Sequence, residues 1–147
     1  MIADARERLA AIEIHVDSKV FLWGFSASGQ FVSRFVMIHP DRVKAASIGS
    51  PRYGPIVPVA QWNGKAVPYH TGIADLEQLI GVKFDAEAFR KIPLQIYAGD
   101  LDSNIVDVYH PDADADVLLI EGNPVRMFRH RNRMARAAGG TVISVPL

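Results

Sequence analysis

The feature that most constrains this chain is a strand pattern that runs into a helix pattern through one tight turn of small residues. Residues 20 to 23 (VFLW) form an unbroken apolar run, which is typical of a strand buried on both faces of a parallel sheet. Residues 24 to 29 (GFSASG) then place Ser26 between small residues two positions before and two positions after it. From Phe31 onward the apolar spacing is helical. A serine therefore stands where a buried strand gives way to a helix.

The small residues around Ser26 are those that a nucleophile elbow requires. A serine on a sharp strand-to-helix turn is strained, and bulky residues two positions away would clash with it. Gly24 and Ser28 meet this requirement, although the common pattern G-x-S-x-G has glycine in place of Ser28. The turn also brings the backbone N–H of Ala27 beside the serine oxygen, where it would stabilise a developing oxyanion. The sequence predicts Ser26 as nucleophile and Ala27 as oxyanion donor. Gln30, one turn later, is expected on a packed helix surface rather than at the site.

This segment resembles the α/β-hydrolase superfamily, and within it the branch of esterases and polyhydroxyalkanoate depolymerases. Elbows of that branch often have the sequence GFSASG, and the helix that follows ends in HP-D-RV-KA, which residues 39 to 45 match. The resemblance covers residues 1 to 147 but only the later half of that fold. It implies an α/β fold of about four parallel strands flanked by helices in three layers (α/β/α). We expect one partial domain over 1–147, with an irregular loop excursion at about 51–90.

Other elements follow from the apolar spacing along the chain. Residues 2 to 13 have helical spacing with charges between the apolar positions, which predicts an amphipathic helix that covers a sheet face. Further strands are expected at 43–48, 92–98 and 141–145, and short helices at 74–80 and 85–90. The first two strands and the helix between them predict a right-handed βαβ unit.

The acid of a catalytic triad is the next residue that the resemblance implies. In α/β hydrolases the acid comes after the serine and follows a later strand, commonly as G-x-x-D. Residues 99 to 102 (GDLD) follow the third predicted strand, so Asp102 is the match and Asp100 is its nearest competitor. Asp102 would hold an imidazole in the correct tautomer. The alternative is an aspartate that only forms a turn.

The triad histidine has no match in this sequence. In the family it follows the last strand, whereas the five histidines here all precede that strand. His110 and His70 are the candidates for a substitute base, provided that one comes within about 3 Å of Ser26 Oγ. The first strands, and the loop that supplies the second oxyanion N–H, are missing as well. The resemblance therefore predicts the C-terminal portion of a serine hydrolase acting on carboxylic esters or polyesters, with little or no activity alone.

Aromatic side chains stand in the excursion. Tyr53, Trp62 and Tyr69 lie among prolines and glycines, where they either line a substrate pocket or pin the loop to the body of the domain.

Composition limits the partners. Sixteen basic and sixteen acidic residues cancel, which argues against nucleic acid or an anionic membrane as the main partner. There is no cysteine, and the aspartates between 107 and 116 lack the spacing of a calcium loop. We therefore expect no metal and no cofactor, and a small-molecule or polymeric ester as substrate. No signal or membrane-span pattern is present, which by default indicates the cytoplasm, while an artificial N-terminus would leave secretion open.

Two functions of other classes compete with hydrolysis. If the strand at 20–25 lacks a neighbour, its apolar edge is expected to pair with a second copy, giving a homodimer without catalysis. The turn after this strand is also typical of a flavodoxin-like domain that binds an anion at a helix N-terminus. The chain lacks a phosphate-loop lysine or a long glycine run, so this third hypothesis ranks last.

Overall fold

The computed structural model describes residues 2–51, 56–62, 64–69, 71–98 and 142–143. Its helices are α1 (Ile2–Ala10), α2 (Ala27–Ile38), α3 (Leu76–Ile80) and α4 (Ala86–Arg90), with a 3-10 turn at Pro40–Arg42. Its strands are β1 (Val20–Phe25), β2 (Val43–Gly49), β3 (Gln61–Trp62), β4 (Lys65–Ala66), β5 (Leu94–Tyr97) and β6 (Val142–Ile143). None of the helices in these ranges has the length and apolar character of a membrane span.

A parallel sheet is the centre of the fold. Its strands are hydrogen-bonded in the order β1-β2-β5-β6, and each neighbouring pair is parallel. Strand β1 is thus at one end of this order. The α/β class and the parallel strands predicted from the sequence are confirmed.

One face of the sheet is buried by helix α2. Alternate strand residues such as Ile48 and Ile96 point to this face, and Val32 and Val36 of α2 meet them; all four are at most 3% exposed. Fully burying an aliphatic side chain of this size contributes about 1.5–3 kcal/mol. Phe89 of α4 belongs to the same core. This face therefore holds the strand-to-helix turn in place.

The other face of β1 is open. Phe21, Trp23 and Phe25 are 72%, 68% and 49% exposed. The expectation that the apolar run is buried on both faces is therefore wrong for this face. The reason is geometric, since successive side chains of a strand point to opposite faces and α2 covers only one of them.

Helix α1 does not cover the sheet. It was expected over residues 2 to 13 as a cover, but it ends at Ala10 and none of its residues is buried. Its end is set by the backbone, because the N–H groups of Glu13 and Ile14 donate to the carbonyls of Ala10 and Leu9 at 3.0 and 2.9 Å. Glu13 has φ 60°, which completes a Schellman motif with a residue other than the usual glycine.

Part of the excursion at 51–90 is regular. Strands β3 and β4 form an antiparallel hairpin, and Gly64 in its turn has φ +78°. The hairpin is held by a small second core of Val57 and Val67, against which Trp62 packs.

Candidate active site

Ser26 has a strained backbone at the junction of β1 and α2. Its dihedral angles are φ 56° and ψ −118°, and a residue other than glycine is uncommon at positive φ. Two hydrogen bonds hold the conformation: the Ser26 N–H donates to the Gly49 carbonyl at 2.9 Å, and the Gln30 N–H donates to the Ser26 carbonyl at 3.0 Å. Strain of this kind costs about 1–3 kcal/mol and persists only where the surrounding structure imposes it.

Glycines allow the helix to approach the sheet at this turn. A Cβ on Gly24 would collide with the backbone carbonyl of Ser28, and a Cβ on Gly29 would lie 2.6 Å from the Gly49 carbonyl oxygen. Both contacts are too short, and backbone atoms cannot move away as the end of a flexible side chain could. The small residues that the sequence places around Ser26 are therefore required by the packing of α2 on β1 and β2.

Ser28 has a structural role that its small size alone does not predict. Its Oγ accepts from the Phe25 N–H at 3.0 Å and donates to the Phe25 carbonyl at 2.8 Å. The hydroxyl thus ties the last residue of β1 to the first turn of α2, which a glycine at this position could not do. Local bonds of this kind are common for serine, although the small size of Ser28 is all that the elbow pattern requires of it.

The Ser26 hydroxyl is available for chemistry. Ser26 and Ala27 are both exposed, and the Ser26 side chain makes no capping hydrogen bond to α2. The first N–H groups of a helix have no partner within the helix, and the positive end of its dipole lies there. An anion formed on an atom bonded to Ser26 Oγ would therefore be stabilised by Ala27 N–H and by the start of α2.

The two described histidines cannot act on Ser26. His39 is at the far end of α2, about 20 Å away at 1.5 Å per residue. His15 precedes β1 and lies near Asp17, whose carboxylate contacts Lys44 Nζ at 2.7 Å near the start of β2. The length of β1, about 20 Å at 3.3 Å per residue, separates that end of the sheet from Ser26.

Several predicted site residues lie outside the described residues. These are Asp102 with its competitor Asp100, the substitute bases His110 and His70, and the aromatic Tyr53. Their predicted roles stay predictions.

Trp62 and Tyr69, the two predicted lining aromatics within the described part, are half-buried. Trp62 packs against the small core of the hairpin, and Tyr69 packs against the main core. The guanidinium of Arg34 lies 5.8 Å from the centre of the Tyr69 ring. The contacts of Tyr69 pin the excursion to the body of the domain, which is the second of the two roles expected for these aromatics, whereas Trp62 packs within the excursion itself. Contact of either side chain with a substrate stays a prediction.

Gln30 is a residue whose environment the sequence does not reveal. It is only 5% exposed, so the expected packed surface is correct, yet within the described ranges neither its Oε1 nor its Nε2 has a hydrogen-bond partner. The buried Nε of Arg34, one turn further along α2, has none either. Between them, Ser33 Oγ accepts from the Ile56 N–H at 3.0 Å, so this side of α2 faces the excursion.

This chain matches known proteins by structure and not by sequence. No protein-family model matches the chain, and no curated protein sequence matches it. Solved structures do match. A poly(aspartic acid) hydrolase from Sphingomonas sp. KT-1 superposes with a TM-score of 0.64 and 18% identity over 99% of this chain and 56% of that chain. LpqC, a poly(3-hydroxybutyrate) depolymerase from Bordetella parapertussis, gives 0.62 and 22% over 99% of this chain and 48% of that chain.

The fold is that of the α/β hydrolases. Both matching structures are hydrolases, and the parallel sheet with its flanking helices corresponds to theirs over nearly all of this chain. The resemblance predicted from the elbow sequence is thus confirmed at the level of fold. The chain spans about half the length of these structures.

Proposed function

We propose that this chain carries the nucleophile of a serine hydrolase that cleaves carboxylic esters, including polyesters. The observation that carries the proposal is the strained backbone of Ser26, an exposed residue whose side chain makes no capping hydrogen bond to α2. Backbone strain of this kind clusters at active sites and ligand-binding sites. The α/β-hydrolase fold supports the assignment, as do solved hydrolases that act on polymers.

The proposed reaction starts with attack of Ser26 Oγ on the ester carbonyl carbon. A base removes the hydroxyl proton, and the carbonyl oxygen becomes an oxyanion that accepts from Ala27 N–H. Collapse of this intermediate breaks the bond to the alcohol, which leaves with the proton, and an acyl-serine forms. Water then attacks the acyl-serine by the same route and releases the acid. Tyr53, Trp62 and Tyr69 would contact the substrate in this account.

The base is proposed to come from outside these 147 residues, with Asp102 orienting its imidazole. His15 and His39 are too far from Ser26, and His110 or His70 are the alternatives within the chain. Removing the serine or the histidine of a triad lowers turnover by about 10⁶, because the residues act as a unit. We therefore propose that this chain, taken as one partial domain, has little activity alone.

Labelling with a fluorophosphonate tests the proposal. The chain is incubated with the probe, with and without added imidazole as a diffusible base, and the adduct is mapped by peptide mass spectrometry. We expect an adduct on Ser26 that forms about tenfold faster with imidazole, since a positioned general base contributes about 10²–10⁴-fold and a diffusible base supplies only a part of that. Ser26→Ala should form none, and Ser47→Ala, on the open face of the sheet, should label as wild type. The absence of an Ser26 adduct under both conditions would contradict the proposal.

A second candidate function is self-association through β1. The observation that favours it is that β1 ends the strand order of the described sheet and exposes Phe21 and Trp23 on its open face. An apolar edge of this kind invites strand pairing. A homodimer would join the two β1 edges into one sheet.

Sedimentation velocity decides this candidate. We expect a dimer for wild type and a monomer for Trp23→Lys. Phe31→Lys is the matched control, because Phe31 is 58% exposed but lies on α2. A wild-type monomer at all concentrations, or equal effects of both variants, would rule out pairing at β1.

A further inference from the structure

Two side chains on the elbow helix bury polar atoms that bind nothing in the described structure. Gln30 is only 5% exposed, and its side-chain Nε2 and Oε1 have no hydrogen-bond partner within the described ranges. The Arg34 Nε is buried and unpartnered there too. Among the described residues no carboxylate forms an ion pair with Arg34.

The spacing places these groups in line with the candidate nucleophile. Ser26, Gln30 and Arg34 follow one another at intervals of four residues, which puts them along one stripe of α2. The rise of 1.5 Å per residue puts Gln30 about 6 Å and Arg34 about 12 Å from Ser26 along the helix axis.

The two side chains together have the chemistry of a carboxylate site. The Gln30 amide and the Arg34 N–H groups are donors, and the guanidinium brings a positive charge. Buried polar groups in proteins are nearly always hydrogen-bonded, so an unpaired amide one helical turn from an unpaired guanidinium nitrogen points to a ligand. The Arg34 guanidinium is also fixed by the Tyr69 ring at 5.8 Å, which leaves it fewer orientations to lose on binding.

We propose that Gln30 and Arg34 bind a carboxylate at the far end of the acyl group, so that the preferred substrates are esters of short dicarboxylic acids. This inference rests on the proposed function of Ser26. An extended chain of about four to six carbons is about 4 to 6 Å long, since each C–C bond measures about 1.5 Å. A hydrogen bond of about 3 Å at its carboxylate extends this reach from Ser26 to the region of Gln30 and Arg34, about 6 to 12 Å along the helix. The same pair would bind an alkyl acyl group poorly, because its buried donors would stay unpaired.

The test is binding of a carboxylate ligand without turnover, followed by NMR of the Gln30 side-chain amide. The ¹⁵N-labelled chain is titrated with monomethyl glutarate, and with the neutral amide of the same length in which the carboxylate is a carboxamide. We expect the Gln30 Nε2 resonances, assigned by their loss in Gln30→Leu, to shift to saturation with the carboxylate, and the neutral compound to bind at least tenfold more weakly. Gln30→Leu and Arg34→Met should each weaken binding at least tenfold.

Controls separate this inference from other outcomes. Gln95→Leu removes an exposed glutamine from the sheet and should leave binding unchanged. Ser26→Ala should still bind the carboxylate, so that a failure of fluorophosphonate labelling and a failure of this inference are distinct results. An unshifted Gln30 amide, which would indicate ordered water only, overturns the proposal. So does equal binding of the neutral amide. If Gln30→Leu does not fold, the wild-type affinities for the carboxylate and for the neutral amide still decide, because they can be read from any resonance that shifts.

Discussion

Ile48 and Ile96 on one face of the sheet are 2% and 3% exposed, whereas Phe21 and Trp23 on the other face are 72% and 68% exposed. Both faces are apolar along β1, so hydrophobicity alone does not decide which one is buried. The difference is that α2 follows β1 directly and packs back across it, while no described element packs over the aromatics. In this molecule the covered face supports the elbow, and the open face is available to a partner.

The largest expected effect tests whether stability comes from the covered face. Ile48→Ala should lower the free energy of unfolding by about 2–5 kcal/mol, because it removes buried methylene groups and leaves a cavity. Phe21→Ala on the open face should change it by no more than about 0.5 kcal/mol in dilute solution. Urea unfolding followed by circular dichroism measures both. Equal losses would show that the open face is covered in solution.

Two glycine substitutions at the end of the sheet compare the covered face with the open face. Gly24→Ala should cost about 1–3 kcal/mol, because its methyl group would meet the Ser28 backbone under α2. In Gly49→Ala the new methyl group would meet ring atoms of Tyr97 and Phe25 on the open face of the sheet, and these side chains can rotate away from it. Thermal unfolding should therefore show the smaller loss for Gly49→Ala. The reverse order would mean that the rings are fixed by a partner.

Much of this architecture could be predicted from the sequence, because it depends on local rules. The change from apolar run to helical spacing gives β1 and α2, and the small residues around Ser26 follow from backbone contact. The hairpin also had a local signal, Asn63-Gly64, which is typical of two-residue turns. What covers β1, and whether the Gln30 amide finds a partner, depend on distant parts of the chain and could not be predicted.

Gln30 buries an unpaired amide on α2, so replacing it with an apolar residue should stabilise the fold. Gln30→Leu replaces buried, unpartnered polar atoms by apolar ones, which should raise the free energy of unfolding by about 1–3 kcal/mol. The exposed Gln95→Leu is the control and should change it little. Chemical unfolding of both variants without ligand measures this. A loss of stability at Gln30→Leu would show that the amide is hydrogen-bonded in solution.

The smallest expected effect is at the rim of the open face. Hydrogen bonds from Lys44 Nζ and the Lys19 N–H, with the charge of Lys44, lower the pKa of Asp17 to about 2. A lowered pKa stabilises the fold at pH values above the unfolded-state pKa of about 4, and this stabilisation is lost as the pH falls toward about 2. The pair is exposed, so the effect should be slight. NMR titration of the Asp17 carboxyl should give the low pKa, and Lys44→Met should raise it; an unchanged pKa would contradict the contact.

We propose that the fold activates the hydroxyl of Ser26. The decisive measurement is the fluorophosphonate labelling rate of Ser26 relative to that of Ser18, an exposed loop serine of the same chain, in the presence of imidazole. We predict a ratio of about 100 or more, because imidazole is available to both serines while the Ala27 N–H is proposed to stabilise an oxyanion at Ser26 alone, and one such donor contributes about 10²–10³-fold. A ratio of about 1 would show that the strained turn gives Ser26 no more reactivity than an ordinary surface serine.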